Sequence, residues 1–147
     1  MSQNIFYRLT NDYNGPTWAL DVLPDGSGNL KIARVGNFSG QYWRLEPSKV
    51  AGKYRLTTLY KGAEMSLDII NDGKNDTPHL ASTGNFTGQF WTLTKVEREG
   101  STGDIFKLSN DFTGTEKFLD VYPDQMKPRM TSGDPTGSHW TLTLAKI

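Results

Sequence analysis

Apolar and polar residues alternate over short stretches of this chain, and the same stretches return three times. Tyr54-Arg55-Leu56 and Leu67-Asp68-Ile69 set apolar side chains on one face and the charged one on the other. That period of two is the mark of a half-buried strand. In the middle third of the chain it predicts four strands, over 53–58, 66–70, 78–82 and 89–94. Turn-forming clusters separate them, among them Tyr60-Lys61-Gly62, Asn71-Asp72-Gly73 and Gly84-Asn85-Phe86. No segment sustains an apolar stripe at helical spacing between its Gly and Pro residues, so almost no helix is expected.

The repetition is explicit in the residues. Gln41-Tyr42-Trp43 and Gln89-Phe90-Trp91 are two intact Gln-x-Trp motifs, and Ser138-His139-Trp140 is a drifted third. The tryptophans at 43, 91 and 140 stand 48 and 49 residues apart. Each unit opens on aromatic-basic-Leu (Tyr7-Arg8-Leu9, Tyr54-Arg55-Leu56, Phe106-Lys107-Leu108). Each continues with Leu-Asp and a β-branched residue: Leu20-Asp21-Val22, Leu67-Asp68-Ile69 and Leu119-Asp120-Val121. Val35–Leu45 and Thr83–Leu93 share seven of eleven positions, whereas Ser132–Leu142 puts Asp134-Pro135 in place of Asn-Phe and Ser138 in place of Gln.

A four-stranded unit cannot bury its apolar face alone, so three such units must close on one another. Twelve strands in three repeats, at about 5–47, 53–95 and 105–146 of a single 1–147 domain, predict an all-β fold: a β-trefoil, a six-stranded barrel capped by three hairpins. Three units are too few for a six- or seven-bladed propeller. The expected core consists of symmetry sets: Tyr7/Tyr54/Phe106, Leu9/Leu56/Leu108, Leu20/Leu67/Leu119, Val22/Ile69/Val121, Ile32/Leu80/Met130, Trp43/Trp91/Trp140 and Leu45/Leu93/Leu142.

Composition narrows the function classes. A chain of 147 residues can bury roughly 70% of its unfolded surface, so it needs no staples. It has no cysteine, which permits a reducing compartment. Met-Ser-Gln-Asn-Ile-Phe carries neither a basic nor an apolar leader region, so a cytoplasmic location is the expectation. No apolar run approaches the ~20 residues of a membrane-spanning helix. Sixteen basic residues balance sixteen acidic ones, which argues against a nucleic-acid partner.

Three Gln-x-Trp-like motifs, each with Leu-Asp-Val/Ile about twenty residues upstream, resemble the ricin-B-type β-trefoil lectins over 5–146. Without cysteines or a leader, the chain is most similar to the small intracellular lectins of mushrooms. The resemblance implies a multivalent agglutinin that binds terminal galactose or N-acetylgalactosamine on glycans and performs no covalent chemistry. It implies no cofactor and no membrane insertion, and it admits a homo-oligomer. Fungal origin is implied in the same way.

Strand alternation points Asp21, Asp68 and Asp120 away from the core, toward a groove under each Gly-rich loop. A carboxylate only accepts hydrogen bonds, at about four lone-pair positions, which suits two adjacent sugar hydroxyls. In the family the matching Asp holds such a pair. The alternative is that Asp fixes a turn or holds the Gln of Gln-x-Trp. The family's aromatic platform on the third strand is absent here, where Ala33, Ala81 and Thr131 stand. The Asn that often precedes the Gln is Gly40, Gly88 and Gly137. Phe38 and Phe86 are the local replacements for the platform, with Asn37 and Asn85 beside them as hydroxyl-binding amides. Alternatively, each Phe packs its loop onto the barrel and each Asn turns through a left-handed conformation. Gln41 and Gln89 complete the candidate set, chiefly as braces. The third copy, keeping Asp120 alone, is expected to be weak or empty.

Other signals dissolve. The stretch 71–76 lacks calcium-loop spacing, and His79 and His139 have no metal-spaced companions, so no metal is expected. No nucleophile-base constellation is present. The competing classes are a trefoil protease inhibitor, which would use one protruding loop, and a non-lectin interaction scaffold. The inhibitor has no use for three outward aspartates, and in a scaffold the repeated polar residues would drift freely.

Overall fold

Trp43, Trp91 and Trp140 each open a barrel strand, and each donates its indole N–H to the carbonyl of a leucine one hairpin away. Trp43 reaches Leu20 O at 3.0 Å, Trp91 reaches Leu67 O at 3.0 Å and Trp140 reaches Leu119 O at 2.9 Å. The Leu-Asp and Gln-x-Trp motifs therefore recur together because one holds the other. The computed structural model describes residues 5–98 and 104–146; the ends of the expected 1–147 domain, and 99–103, lie outside the described residues.

The strands are β1 (Phe6–Asn11), β2 (Trp18–Val22), β3 (Leu30–Arg34), β4 (Trp43–Pro47), β5 (Tyr54–Thr58), β6 (Met65–Ile69), β7 (Pro78–Ser82), β8 (Trp91–Lys95), β9 (Ile105–Asn110), β10 (Phe118–Val121), β11 (Pro128–Thr131) and β12 (Trp140–Ala145). Six close a barrel in the order β1-β12-β9-β8-β5-β4, and β2-β3, β6-β7 and β10-β11 are separate hairpins. This is a β-trefoil. Among the described residues the only helical segments are three-residue 3₁₀ turns at Ser39–Gln41, Thr87–Gln89 and Thr136–Ser138. The strand expected from Gln89 starts instead at Trp91, because Gln89 closes one of those turns.

The hairpins tie to one another head to tail. Ile32 N–H donates to Met126 O, Leu80 N–H to Gly28 O and Met130 N–H to Asp76 O, at 2.8–2.9 Å. Strand edges that would otherwise be open are thereby paired. Gly28 is required at its contact: its φ is +82°, and a Cβ there would sit 2.6 Å from Leu80 O.

Five of the seven predicted core sets are buried, the tryptophans completely. Deleting one such side chain costs about 3–5 kcal/mol for Trp and 2–5 for Leu. The other two sets differ from expectation. Tyr7/Tyr54/Phe106 and Leu45/Leu93/Leu142 are only partly buried and line a cavity of about 460 Å³ at the barrel mouth. Alternation gives their face correctly, but at the barrel's end no further layer covers it.

Candidate functional site

Hydrogen bonds tie the Gly-rich loop of each unit to the barrel. The basic residue of the opening motif donates to a loop carbonyl: Arg8 to Gly36 O at 2.9 Å, Arg55 to Gly84 O at 2.8 Å and Lys107 to Gly133 O at 3.0 Å. Gln41 is fully buried and donates to Asp21 Oδ2 at 3.2 Å and Arg34 O at 2.9 Å, while its Oε1 accepts from Gly36 N–H at 3.1 Å. Gln89 repeats the set with Asp68 Oδ2 (3.0 Å), Ser82 O (2.9 Å) and Gly84 N–H (3.0 Å). Both amide donors are spent on the protein, so these glutamines brace the site from behind.

The aspartates lie deeper than outward alternation alone suggests. Asp21 is 6% exposed and Asp68 9%, because the 3₁₀ turn folds directly over each carboxylate. A side chain at Gly40 or Gly88 would collide with Asp21 Oδ1 or Asp68 Oδ1. This explains why glycine precedes the Gln in this chain. Oδ1 of each aspartate accepts the next backbone N–H at 2.7 Å, from Val22 and Ile69. With the glutamine bond, two of about four acceptor positions are filled and two remain for a ligand. Of the alternatives left open by the sequence, the Asp does hold the Gln, and it also lines a pocket.

Phe38 and Phe86 are 58% and 57% exposed and do not pack the loop into the barrel. Their rings rest on Gly36 and Gly84, where a Cβ would meet the ring at 2.5 and 2.6 Å. Among the described residues Asn75 is the only non-glycine with positive φ, so the left-handed reading of Asn37 and Asn85 is set aside. Asn37 Oδ1 accepts from Tyr42 Oη at 3.1 Å, which leaves its amino group to face outward. Phe90 replaces Tyr42 in the second unit, and Asn85 is exposed.

Asp21, Asn37 and Phe38 line one pocket of about 650 Å³, and Asp68, Asn85 and Phe86 line another of about 340 Å³. Each pocket has an aromatic wall from the next repeat, Tyr60 in the first and Phe112 in the second. These two residues were missed in the sequence. The available signal was Tyr13, Tyr60 and Phe112, each two residues before the glycine that closes the first loop of its unit.

The third unit is rewired. Asp120 is 1% exposed, and Arg129 Nε donates to its Oδ2 at 2.9 Å. Ser138 turns back to Pro135 O at 2.7 Å instead of reaching the aspartate. Asp134 is exposed and bonded by His139 and Lys107, which hold its carboxyl below the usual range. Among the described residues no three His, Cys, Asp or Glu side chains gather as a metal cage.

Neither a protein-family model nor a curated protein sequence matches this chain. Solved structures match its fold. A designed threefold-symmetric protein, ThreeFoil, is 25% identical with a TM-score of 0.73, covering 94% of this chain and 97% of its own. The ricin B-like lectin of Macrolepiota procera, solved with lactose, is 16% identical with a TM-score of 0.69, covering 94% of each chain. An exo-β-1,3-galactanase of Clostridium thermocellum is 24% identical with a TM-score of 0.74; this chain matches over 99% of its length and spans 31% of that enzyme. At these identities the likeness is one of fold.

Proposed function

We propose that this protein is a carbohydrate-binding lectin of the ricin-B-like kind, with two working sites for terminal galactose or N-acetylgalactosamine and no covalent chemistry. One observation carries the reading. Two repeat-related pockets each set a half-satisfied carboxylate at the floor and an open phenylalanine face at the loop, while the third copy closes its carboxylate with an arginine. The carboxylate takes two adjacent hydroxyls, and the ring takes the C–H face of the sugar. The lectin of Macrolepiota procera, of the same fold, was solved with lactose, which supports a galacto-configured ligand. Few polar contacts per site imply a dissociation constant on the order of 0.1–1 mM. Two such sites on one rigid body gain strength on a multivalent surface. A glycan array is expected to return terminal galactose and N-acetylgalactosamine and to leave mannose and glucose blank. An array without a galacto-configured hit overturns the reading.

A further inference from the structure

The two open sites share a scaffold and differ in charge. Across each hairpin, the residue facing the aspartate is basic or titratable: Lys31 opposite Asp21, His79 opposite Asp68 and Arg129 opposite Asp120. In the third unit that cation is consumed by Asp120. In the second, His79 is half-buried, and burial holds its ring below the usual histidine range despite the opposing pull of Asp68. In the first, Lys31 lines the pocket and has no carboxylate within 4.0 Å among the described residues.

Arg34 adds a second cation to the first pocket. It pairs across the hairpin with Trp18, and its guanidinium stacks on that ring at 4.9 Å. The equivalent residue of the second hairpin, opposite Met65, is Ser82. Arg34 is likewise without a carboxylate partner among the described residues. Asp25, on the tip of the first hairpin, is bonded by Ser27, lies outside the pocket lining and pairs with neither cation. The first pocket thus holds two unpaired cations beside one carboxylate, and the second is lined by a carboxylate and no basic side chain.

We propose that the Asp21 pocket selects galactosides bearing an acidic substituent, a sulfate or a carboxylate, whereas the Asp68 pocket takes the neutral sugar. The inference rests on the lectin reading above. Asp21 would keep the sugar's hydroxyls, and the acidic group would lie between Lys31 and Arg34. A guanidinium forks onto a sulfate or carboxylate with two parallel bonds, and one already stacked on an indole has less freedom to lose. Attraction between exposed charges is screened by salt, which gives the proposal a second signature.

The wild-type protein can be tested site by site, because the Gly40 and Gly88 amides lie over Asp21 and Asp68. Their NMR shifts are followed during titration with lactose, 3′-sulfated lactose and 3′-sialyllactose. Gly40 should report about tenfold tighter binding of an acidic sugar than of lactose, a difference of about 1.4 kcal/mol. Gly88 should show no such preference. The two acidic probes separate sulfate from carboxylate as the preferred group. The preference at Gly40 should shrink in 0.5 M salt and vanish in Arg34→Ser with Lys31→His, which copies the second site. Equal affinities at Gly40, or a preference that survives the double substitution, overturn the charge assignment and leave the lectin reading standing. No response to any galactoside at either glycine overturns the lectin reading itself.

Discussion

Asp68 and Asp120 occupy the same place in two copies of one unit and end in opposite states. Each follows a buried leucine whose carbonyl is held by a tryptophan, and each lies under a 3₁₀ turn with a glycine against its Oδ1. Around Asp68 a neutral glutamine takes one acceptor position and leaves two unfilled. Around Asp120 the glutamine has become Ser138, which turns away, and Arg129 supplies a full charge. The frame of the unit depends on Trp, Leu and Gly, and it survives that drift. The proposed site depends on what is left unpaired, and in the third copy Arg129 takes that place by bonding Asp120.

The largest effect that separates the two states is on stability. Asp120→Ala strips the partner from Arg129 and should lower unfolding free energy by about 2–3 kcal/mol, below the range for a wholly buried pair because Arg129 reaches solvent. Sugar binding should be unchanged. Denaturant melts beside lactose titrations check both halves, and loss of sugar affinity in this variant would make Asp120 a ligand after all.

Asp21→Ala and Asp68→Ala should do the reverse. Each should remove one binding event, and the double variant should lose agglutination. The stability cost should be about 1–2 kcal/mol, the scale of leaving a buried amide without its partner. Calorimetry that finds either variant with wild-type stoichiometry contradicts the pairing of site and aspartate.

A smaller effect is expected from the rings. Phe38→Ala or Phe86→Ala should weaken its own site by about 1 kcal/mol, roughly fivefold, the scale of a good aromatic contact. Melting temperature should barely move, because more than half of each ring already faces solvent. A loss of ~3–5 kcal/mol in stability is the signature of a buried Phe and would contradict their exposure.

The smallest effect is in pH. Burial depresses the His79 pKa below 6.5, so the unfolded chain binds the proton more readily. Stability should therefore fall as pH is lowered from about 6.5 through the folded value, and stay level above about 6.5. His79→Gln should flatten that slope. An identical pH profile in the variant would assign the slope to other groups.

The fold was legible because its determinants are repeated: tryptophan spacing, strand alternation and turn glycines all point to three units closing on themselves. The glutamine-aspartate bond was legible as an alternative role for the Asp. What escaped was contact between units. Tyr60 and Phe112 enter each pocket from the following repeat, and reading one repeat at a time cannot place them. The pairing of Arg129 with Asp120 also escaped, because Lys31, His79 and Arg129 differ in type and present no motif. The barrel-mouth residues were placed in the core because alternation reports a side chain's face and not what covers it.

The frame is threefold, and the proposed site is twofold. Gly40, Gly88 and Gly137 each place their backbone against one of the three aspartates. Following their three amide resonances during one lactose titration tests the claim directly. Gly40 and Gly88 are expected to shift and saturate while Gly137 stays in place. Three glycines shifting to the same saturation, or none shifting at all, would contradict it.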